Sequence, residues 1–147
     1  MSTSKVDPRG LRFAAALTTI VLAATLVTGS PWPLAFQAVV FAVSVAFGVQ
    51  ASPYGTVFKR FVRPRLGPPA ELEDPRPPRF AQLVGLVFAL AGLAGYLTGA
   101  TVVGVVATAF ALVAAFVNAA VGLCLGCEAY LLFHRIRPSR TPATTTT

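Results

Sequence analysis

The sequence predicts an all-α integral membrane protein, a four-helix bundle built from two repeated transmembrane hairpins. Hydrophobic residues make up 55% of the 147 residues and charged residues only 12%, about half the charged share of a soluble domain. The mean hydropathy is +0.72. Four long apolar runs, free of Lys, Arg, Asp and Glu, account for this value.

Each apolar run has about the length that a helix needs to cross the hydrocarbon core, roughly 17–25 residues. We predict spans at residues 13–28, 34–51, 80–97 and 102–123, with the last helix continuing to about residue 134. The first run resembles a signal peptide in its basic flank, but no convincing cleavage site precedes residue 31. One membrane domain therefore covers residues 1–140, and the Thr-rich residues 141–147 are expected to be a disordered tail.

The basic residues predict the orientation of the chain. All 12 Lys and Arg lie before the first span, between the second and third spans (the central loop, about residues 52–78, and Arg79 beside it), or after residue 134. The connections over residues 29–33 and 98–101 carry no charge. With four spans the three basic segments share one side, which the positive-inside rule makes the cytoplasm. We expect a multi-pass protein of the plasma (inner) membrane with both termini cytoplasmic and Trp32 at the outer interface.

The central loop contains seven prolines, which disfavour a long helix. Two interpretations stay open for its first half. Residues 56–62 form a short interfacial helix with apolar side chains toward lipid and basic ones toward headgroups, or the segment is a proline-stiffened linker held by charge.

The segment Asp7-Pro8-Arg9-x-x-Arg12-Phe13-Ala14 recurs as Asp74-Pro75-Arg76-x-x-Arg79-Phe80-Ala81. We call it the arginine motif. Each copy precedes the first helix of a pair, which predicts two related hairpins of parallel topology. Asp7 is expected to cap the first helix, with Pro8 at its first position; Pro77 and Pro78 indicate that the third helix begins at Pro78.

The arginines of the motif have two interpretations. As basic flanks they set topology and anchor the chain in the lipid headgroups. Alternatively they bind an anionic partner. The four residues concerned are Arg9, Arg12, Arg76 and Arg79.

Both cysteines lie in one segment, Gly122-Leu123-Cys124-Leu125-Gly126-Cys127-Glu128-Ala129-Tyr130, which we call the cysteine segment. The C-x-x-C spacing has a redox use, and a carboxylate such as Glu128 near hydrocarbon indicates function. Alternatively, the cysteines are packing residues and the glycines permit close helix contact. A helix break here would favour the thiolate form of Cys127 if that residue came to lie at the new helix amino terminus.

Other sites are not expected. A tetrahedral metal site usually draws on two separated ligand pairs, and His134 is expected to be an interfacial anchor. Gln50 and Asn118 are expected to make interhelical hydrogen bonds. The net charge of +7 does not indicate nucleic acid binding, because the basic residues flank apolar runs and form no basic and aromatic surface.

The C-L-G-C-E-x-Y signature at Cys124–Tyr130 resembles that of an uncharacterised family of small four-span bacterial membrane proteins, common in actinobacteria. The resemblance extends to Ser52-Pro53-Tyr54-Gly55, to residues 63–71 and to residues 73–82, and covers roughly residues 5–138. It implies a membrane protein of unassigned function. Relatives are often encoded beside thioredoxin-like or sulfur-transfer proteins, and the family provides no catalytic residues to transfer.

Two functions follow as hypotheses. In the first, Cys124 and Cys127 take part in thiol–disulfide exchange or persulfide relay at the cytoplasmic face, with Glu128 handling protons and a thioredoxin-like or rhodanese-like protein as partner. In the second, the protein is a structural or assembly protein that binds lipid headgroups or a membrane complex. No cofactor is implied, and the sequence leaves open the oligomeric state and whether the protein is an enzyme.

Overall fold

The computed structural model describes residues 7–66, 76–122 and 124–136, with the backbone alone at residues 126, 134 and 136. In these residues the chain is all-helical and no β-strand occurs, so the predicted all-α class is confirmed. A 3₁₀ turn over Val49–Ala51 and a π-helical turn over Phe58–Val62 join some of the helices. The α-helices are α1 (Pro8–Thr28), α2 (Trp32–Phe47), α3 (Pro53–Val57), α4 (Arg63–Leu66), α5 (Arg76–Thr98), α6 (Thr101–Val121) and α7 (Leu125–Ile136).

Three of these helices, α1, α5 and α6, are long and apolar enough to cross a membrane. Helix α2 is apolar as well but has only 16 residues. The sequence predicted its span over residues 34–51, whereas α2 ends at Phe47 because Gly48 adopts a φ of 101°, outside the right-handed helical region. The 3₁₀ turn then covers the remaining residues.

The four long helices pack side by side, α1 on α6, α6 on α5, α5 on α2, and α2 on α1. Their shared core is formed by Leu22, Leu34, Ala38, Phe41, Ala89 and Ala111. Large apolar side chains cover the outside instead: Ile20 is 64% exposed, Phe110 62% and Phe116 56%. Contiguous apolar surface of this kind is rare on soluble monomers, and it suits a protein surrounded by lipid.

Small residues bring α5 and α6 into close contact. A Cβ atom at Gly92 would lie 3.1 Å from Thr108 Oγ1, and one at Gly95 would overlap the backbone of Gly104. Transmembrane helices associate through such small-residue interfaces, because lipid provides no hydrophobic drive between them.

The starts of α1 and α5 follow from local chemistry. As predicted, Asp7 caps α1 by accepting a hydrogen bond from the Arg9 backbone N–H at 2.9 Å, with proline at the first helical position. Helix α5 begins at Arg76, two residues before the predicted Pro78. Pro77 and Pro78 fit in the first turn because the N–H groups there have no helical partner.

We predict that Gly95→Leu separates α5 from α6, because the added side chain overlaps the Gly104 backbone. Overpacking of this kind lowers the free energy of unfolding by about 1–3 kcal/mol. The measurement is thermal unfolding in detergent. Ala94→Leu, which introduces the same side chain at an exposed neighbour, is the control; equal melting temperatures for the two variants would show that this packing is wrong.

Candidate functional site

The cysteine segment lies where one helix ends and another begins. Helix α6 ends at Val121, and Gly122 follows with a left-handed φ of 76° while its N–H donates to Asn118 O at 2.9 Å. Glycine adopts this conformation without steric penalty and commonly ends helices. Helix α7 starts at Leu125. The helix that the sequence predicted to continue to about residue 134 is therefore interrupted at Gly122, ahead of the cysteines.

Cys124 caps the amino terminus of α7. The Cys127 backbone N–H donates to Cys124 Sγ at 3.1 Å, and the Glu128 N–H donates to Cys124 O at 2.9 Å. A side-chain acceptor at this position satisfies one of the orphan N–H groups of the first helical turn. The sulfur of Cys124 occupies the place that a serine or aspartate oxygen takes in most helices.

The two cysteines are joined by a disulfide, with their Cα atoms 5.1 Å apart. Both side chains are half-buried, so they are accessible from one side and packed on the other. The structure thus brings together two of the three residues predicted to carry the chemistry.

Glu128 lies in the first turn of α7 and is exposed. Negative charge is favourable there, because the amino end of a helix carries partial positive charge. Its predicted role in proton transfer stays a prediction. The side chain of His134 lies outside the described residues, and in the described part of the chain no group of three His, Cys, Asp or Glu residues could hold a metal ion.

The last arginine of each arginine motif bonds to the end of a distant helix. Arg12 Nη2 donates to Ala119 O at 3.0 Å and to Ala120 O at 3.2 Å, in the last turn of α6. Arg79 donates from Nε to Val45 O at 2.8 Å and from Nη2 to Ala46 O at 3.0 Å, in the last turn of α2. A guanidinium there satisfies orphan carbonyl groups and complements the negative end of the helix.

The phenylalanine of each arginine motif also contacts an aromatic ring in a later part of the chain. The rings of Phe13 and Phe58 lie 5.7 Å apart, and those of Phe80 and Tyr130 lie 5.5 Å apart. Phe58 follows the α3 cap, Ser52, by the same six residues that separate Tyr130 from Cys124. Ser52 Oγ accepts from the Gly55 N–H at 3.0 Å, just as Cys124 Sγ accepts from Cys127.

The first arginine of the motif has a different partner. Arg9 forms an ion pair with Asp7, with Nη2 and Oδ2 3.0 Å apart, and Arg63 Nε lies 3.7 Å from the same carboxylate. Burial raises the pKa of Asp7, but the hydrogen bonds and charge of Arg9 and the charge of Arg63 outweigh burial and hold that pKa below its usual value. Arg76, at the start of α5, is exposed. Binding of headgroups or a partner by these arginines stays a prediction.

A cavity of about 400 Å³ adjoins the disulfide. It is lined by the amino-terminal halves of α1 and α5, the carboxyl-terminal halves of α2 and α6, and the starts of α3 and α7. Cys124 and Cys127 belong to its wall, whereas Glu128 does not. Most of the lining is apolar; its uncharged polar members include Gln50, Gln82 and Asn118, and its charged members are Asp7, Lys59 and Arg63.

One buried polar group was not predicted from the sequence. Gln37, fully buried in α2, accepts from Tyr54 Oη at 2.7 Å and donates to Thr18 Oγ1 at 3.3 Å. Burial raises the pKa of Tyr54 to about 12, because ionisation would place a charge in this buried position. An amide within an apolar run was the feature of the sequence that could have predicted this group; Gln50 and Asn118 have the same feature.

No curated protein and no solved structure matches the chain significantly. The match that is found covers residues 6–135, and it is to a family model described as a domain of unknown function (DUF4395). The chain belongs to this DUF4395 family.

Proposed function

We propose that this protein is a membrane dithiol protein that carries out thiol–disulfide exchange at the cytoplasmic face of the plasma membrane. The observation that carries the proposal is the position of Cys124 and Cys127. They form a C-x-x-C pair at the start of a helix, with Cys124 Sγ accepting a backbone N–H at 3.1 Å. Helix amino termini favour thiolates, and the thiolate is the nucleophile in this chemistry.

In this proposal Cys124 is the cysteine that forms the mixed disulfide with the partner, and Cys127 is the cysteine that leaves when the internal disulfide opens. A thiolate of the partner attacks Cys124 Sγ, the Cys124–Cys127 bond breaks, and Cys127 leaves as a thiolate that takes up a proton. The second thiol of the partner loses its proton and attacks the partner's own sulfur in the mixed disulfide. This step releases Cys124 as a thiolate that the Cys127 N–H stabilises, and the partner is left oxidised.

Exposed Glu128 exchanges protons with the solvent near Cys127. In the related persulfide relay, Cys124 would hold the transferred sulfur.

The proposed architecture is four spans in two related hairpins, with both termini in the cytoplasm. Two pairs of equivalent contacts support it. In the first, each hairpin donates an arginine to the other: Arg12 bonds to the end of α6, and Arg79 bonds to the end of α2. The aromatic pairs Phe13–Phe58 and Phe80–Tyr130 follow the same pattern. On this topology the cysteine segment and the basic central loop share one face, where a thioredoxin-like or rhodanese-like partner would dock.

The alternative, an assembly protein that engages lipid headgroups or a membrane complex through its arginines, has less support. The guanidinium groups of Arg9, Arg12 and Arg79 are bonded to groups of the chain itself. These bonds give the arginines a role in holding the helices together.

We predict that cysteines introduced at Trp32 and Ala70, each in a Cys124→Ser, Cys127→Ser background, react with a membrane-impermeant maleimide from opposite sides. The reason is that an odd number of spans separates them in the four-span topology. The measurement is labelling of intact cells and of inverted vesicles. Labelling of both positions from the same side would contradict the topology.

We further predict that Cys124 and Cys127 interconvert between dithiol and disulfide in vesicles. Mass tagging of free thiols after mild oxidant treatment should show two tags lost from wild type and regained with a dithiol reductant. Cys124→Ser and Cys127→Ser should each keep one taggable thiol throughout, since neither can form the internal bond. Two tags that persist in oxidised wild type, or cysteines that never react, would rule out the proposed exchange.

A further inference from the structure

The cavity beside the disulfide has the dimensions of a small-molecule site. Its volume of about 400 Å³ falls within the range of ligand pockets, roughly 300–1,000 Å³. It occupies one half of the helix assembly, and the packed core around Leu22 and Leu34 fills the other half, with Phe41 and Ala111 belonging to both. On the proposed topology this half is the cytoplasmic one, so a ligand here would lie at the depth of one lipid leaflet.

Two amides on the cavity wall have no partner among the residues that the structure describes. Gln82 on α5 and Asn118 on α6 both line the cavity and are half-buried. In the described part of the chain neither side chain makes a hydrogen bond, which differs from the interhelical bond that the sequence predicted for Asn118. Half-buried amides without a partner are ready donors to a carbonyl oxygen of a ligand.

The ligand must suit both the apolar wall and the cysteine pair. Nicotinamide and flavin nucleotides carry phosphates and sugars; Lys59 and Arg63 line part of the cavity, but most of its wall is apolar and suits an uncharged ligand better. A phospholipid suits the wall but exchanges no electrons with a dithiol. A lipophilic quinone is uncharged, has two carbonyl acceptors, dissolves in the bilayer and accepts two electrons with two protons. Quinones already serve as terminal oxidants for membrane-coupled disulfide formation.

We propose that this cavity binds the ring of a lipophilic quinone, which takes two electrons from the Cys124–Cys127 dithiol. This inference rests on the proposed thiol function and names its second reactant. Cys124 as thiolate forms a bond to a ring carbon of the quinone. Cys127, after losing its proton, attacks Cys124 Sγ; the S–C bond breaks and its electron pair remains on the ring. The cysteines are oxidised to the disulfide, and the two thiol protons end on the two ring oxygens, giving the hydroquinone.

The test uses the full-length protein in lipid nanodiscs, reduced with an immobilised reductant, and decylbenzoquinone as the probe. Quinone reduction is followed by absorbance and thiol loss by mass tagging. Wild type should reduce one quinone for each cysteine pair, while Cys127→Ser should not form hydroquinone. Reaction with the water-soluble disulfide dithiobis(nitrobenzoic acid) measures thiol exchange independently of the cavity.

Matched variants separate cavity binding from reaction in free solution. Ala115→Leu adds a larger side chain to the cavity wall and should slow quinone reduction about tenfold or more. Ala91→Leu makes the same change at an exposed site outside the cavity and should react like wild type. Asn118→Leu, which removes one amide donor without a large change in volume, should also slow quinone reduction. Ala91→Leu should react with the soluble disulfide at the wild-type rate, and the quinone rates of the two cavity variants are compared after division by their own rates with that disulfide.

The outcomes distinguish this inference from the proposed function. If wild type reacts with the soluble disulfide but does not reduce the quinone, the quinone inference is wrong and the thiol function stands. Equal quinone rates in Ala115→Leu, Ala91→Leu and wild type would also overturn it, because the cavity would then play no part. If wild type reacts with neither reagent, the proposed thiol function fails as well. A bound phospholipid that the quinone does not displace would identify the cavity as a lipid site.

Discussion

The interruption of the helical chain at Gly122 is the constraint on which the cysteine site depends. In an uninterrupted helix the Cys127 N–H would bond to the carbonyl of residue 123, and both cysteines would be ordinary side chains on a helix surface. Because Gly122 adopts a left-handed φ, α6 ends there and Cys124 becomes the cap of a new helix. The same turn of chain places both cysteines in the wall of the cavity. The conformation of Gly122 therefore determines where the two cysteines lie, how accessible they are and how the Cys124 thiolate is stabilised.

Ending a helix close to an apolar region leaves carbonyl groups that need donors, and the arginine motifs provide them. Arg12 reaches the last turn of α6, directly before Gly122, and Arg79 reaches the last turn of α2, directly before Gly48. Each arginine thereby connects one helical pair to the other. We infer that these bonds hold the two pairs in register around the cavity. The basic residues then stabilise the packing of the helices, in addition to the orientation of the chain that the positive-inside rule predicts from them.

The features of the sequence that act locally predicted the structure well. Apolar runs predicted helices, and the Asp7-Pro8 pair predicted the cap of α1, because these patterns depend on a few neighbouring residues. From the sequence, a helix break in the cysteine segment was only one of two alternatives, since glycine in an apolar helix is equally compatible with close packing, as at Gly95. The partners of Arg12 and Arg79 and the cavity depend on how distant helices pack, and a single sequence carries no direct signal for that packing. For the same reason Asn118 was expected to bond across helices but lines the cavity.

The central claim is that the break in the helix makes Cys124 a reactive thiol, and alkylation of single-cysteine variants tests it most directly. Cys127→Ser retains Cys124 alone, and Cys124→Ser retains Cys127 alone. In the reduced proteins, the rate of iodoacetamide alkylation should be several-fold higher for Cys124 at neutral pH, and it should reach its plateau at lower pH, because the Cys127 backbone N–H and the start of α7 stabilise its thiolate. Equal rates and equal pH profiles for the two thiols, both matching a free cysteine, would contradict the account.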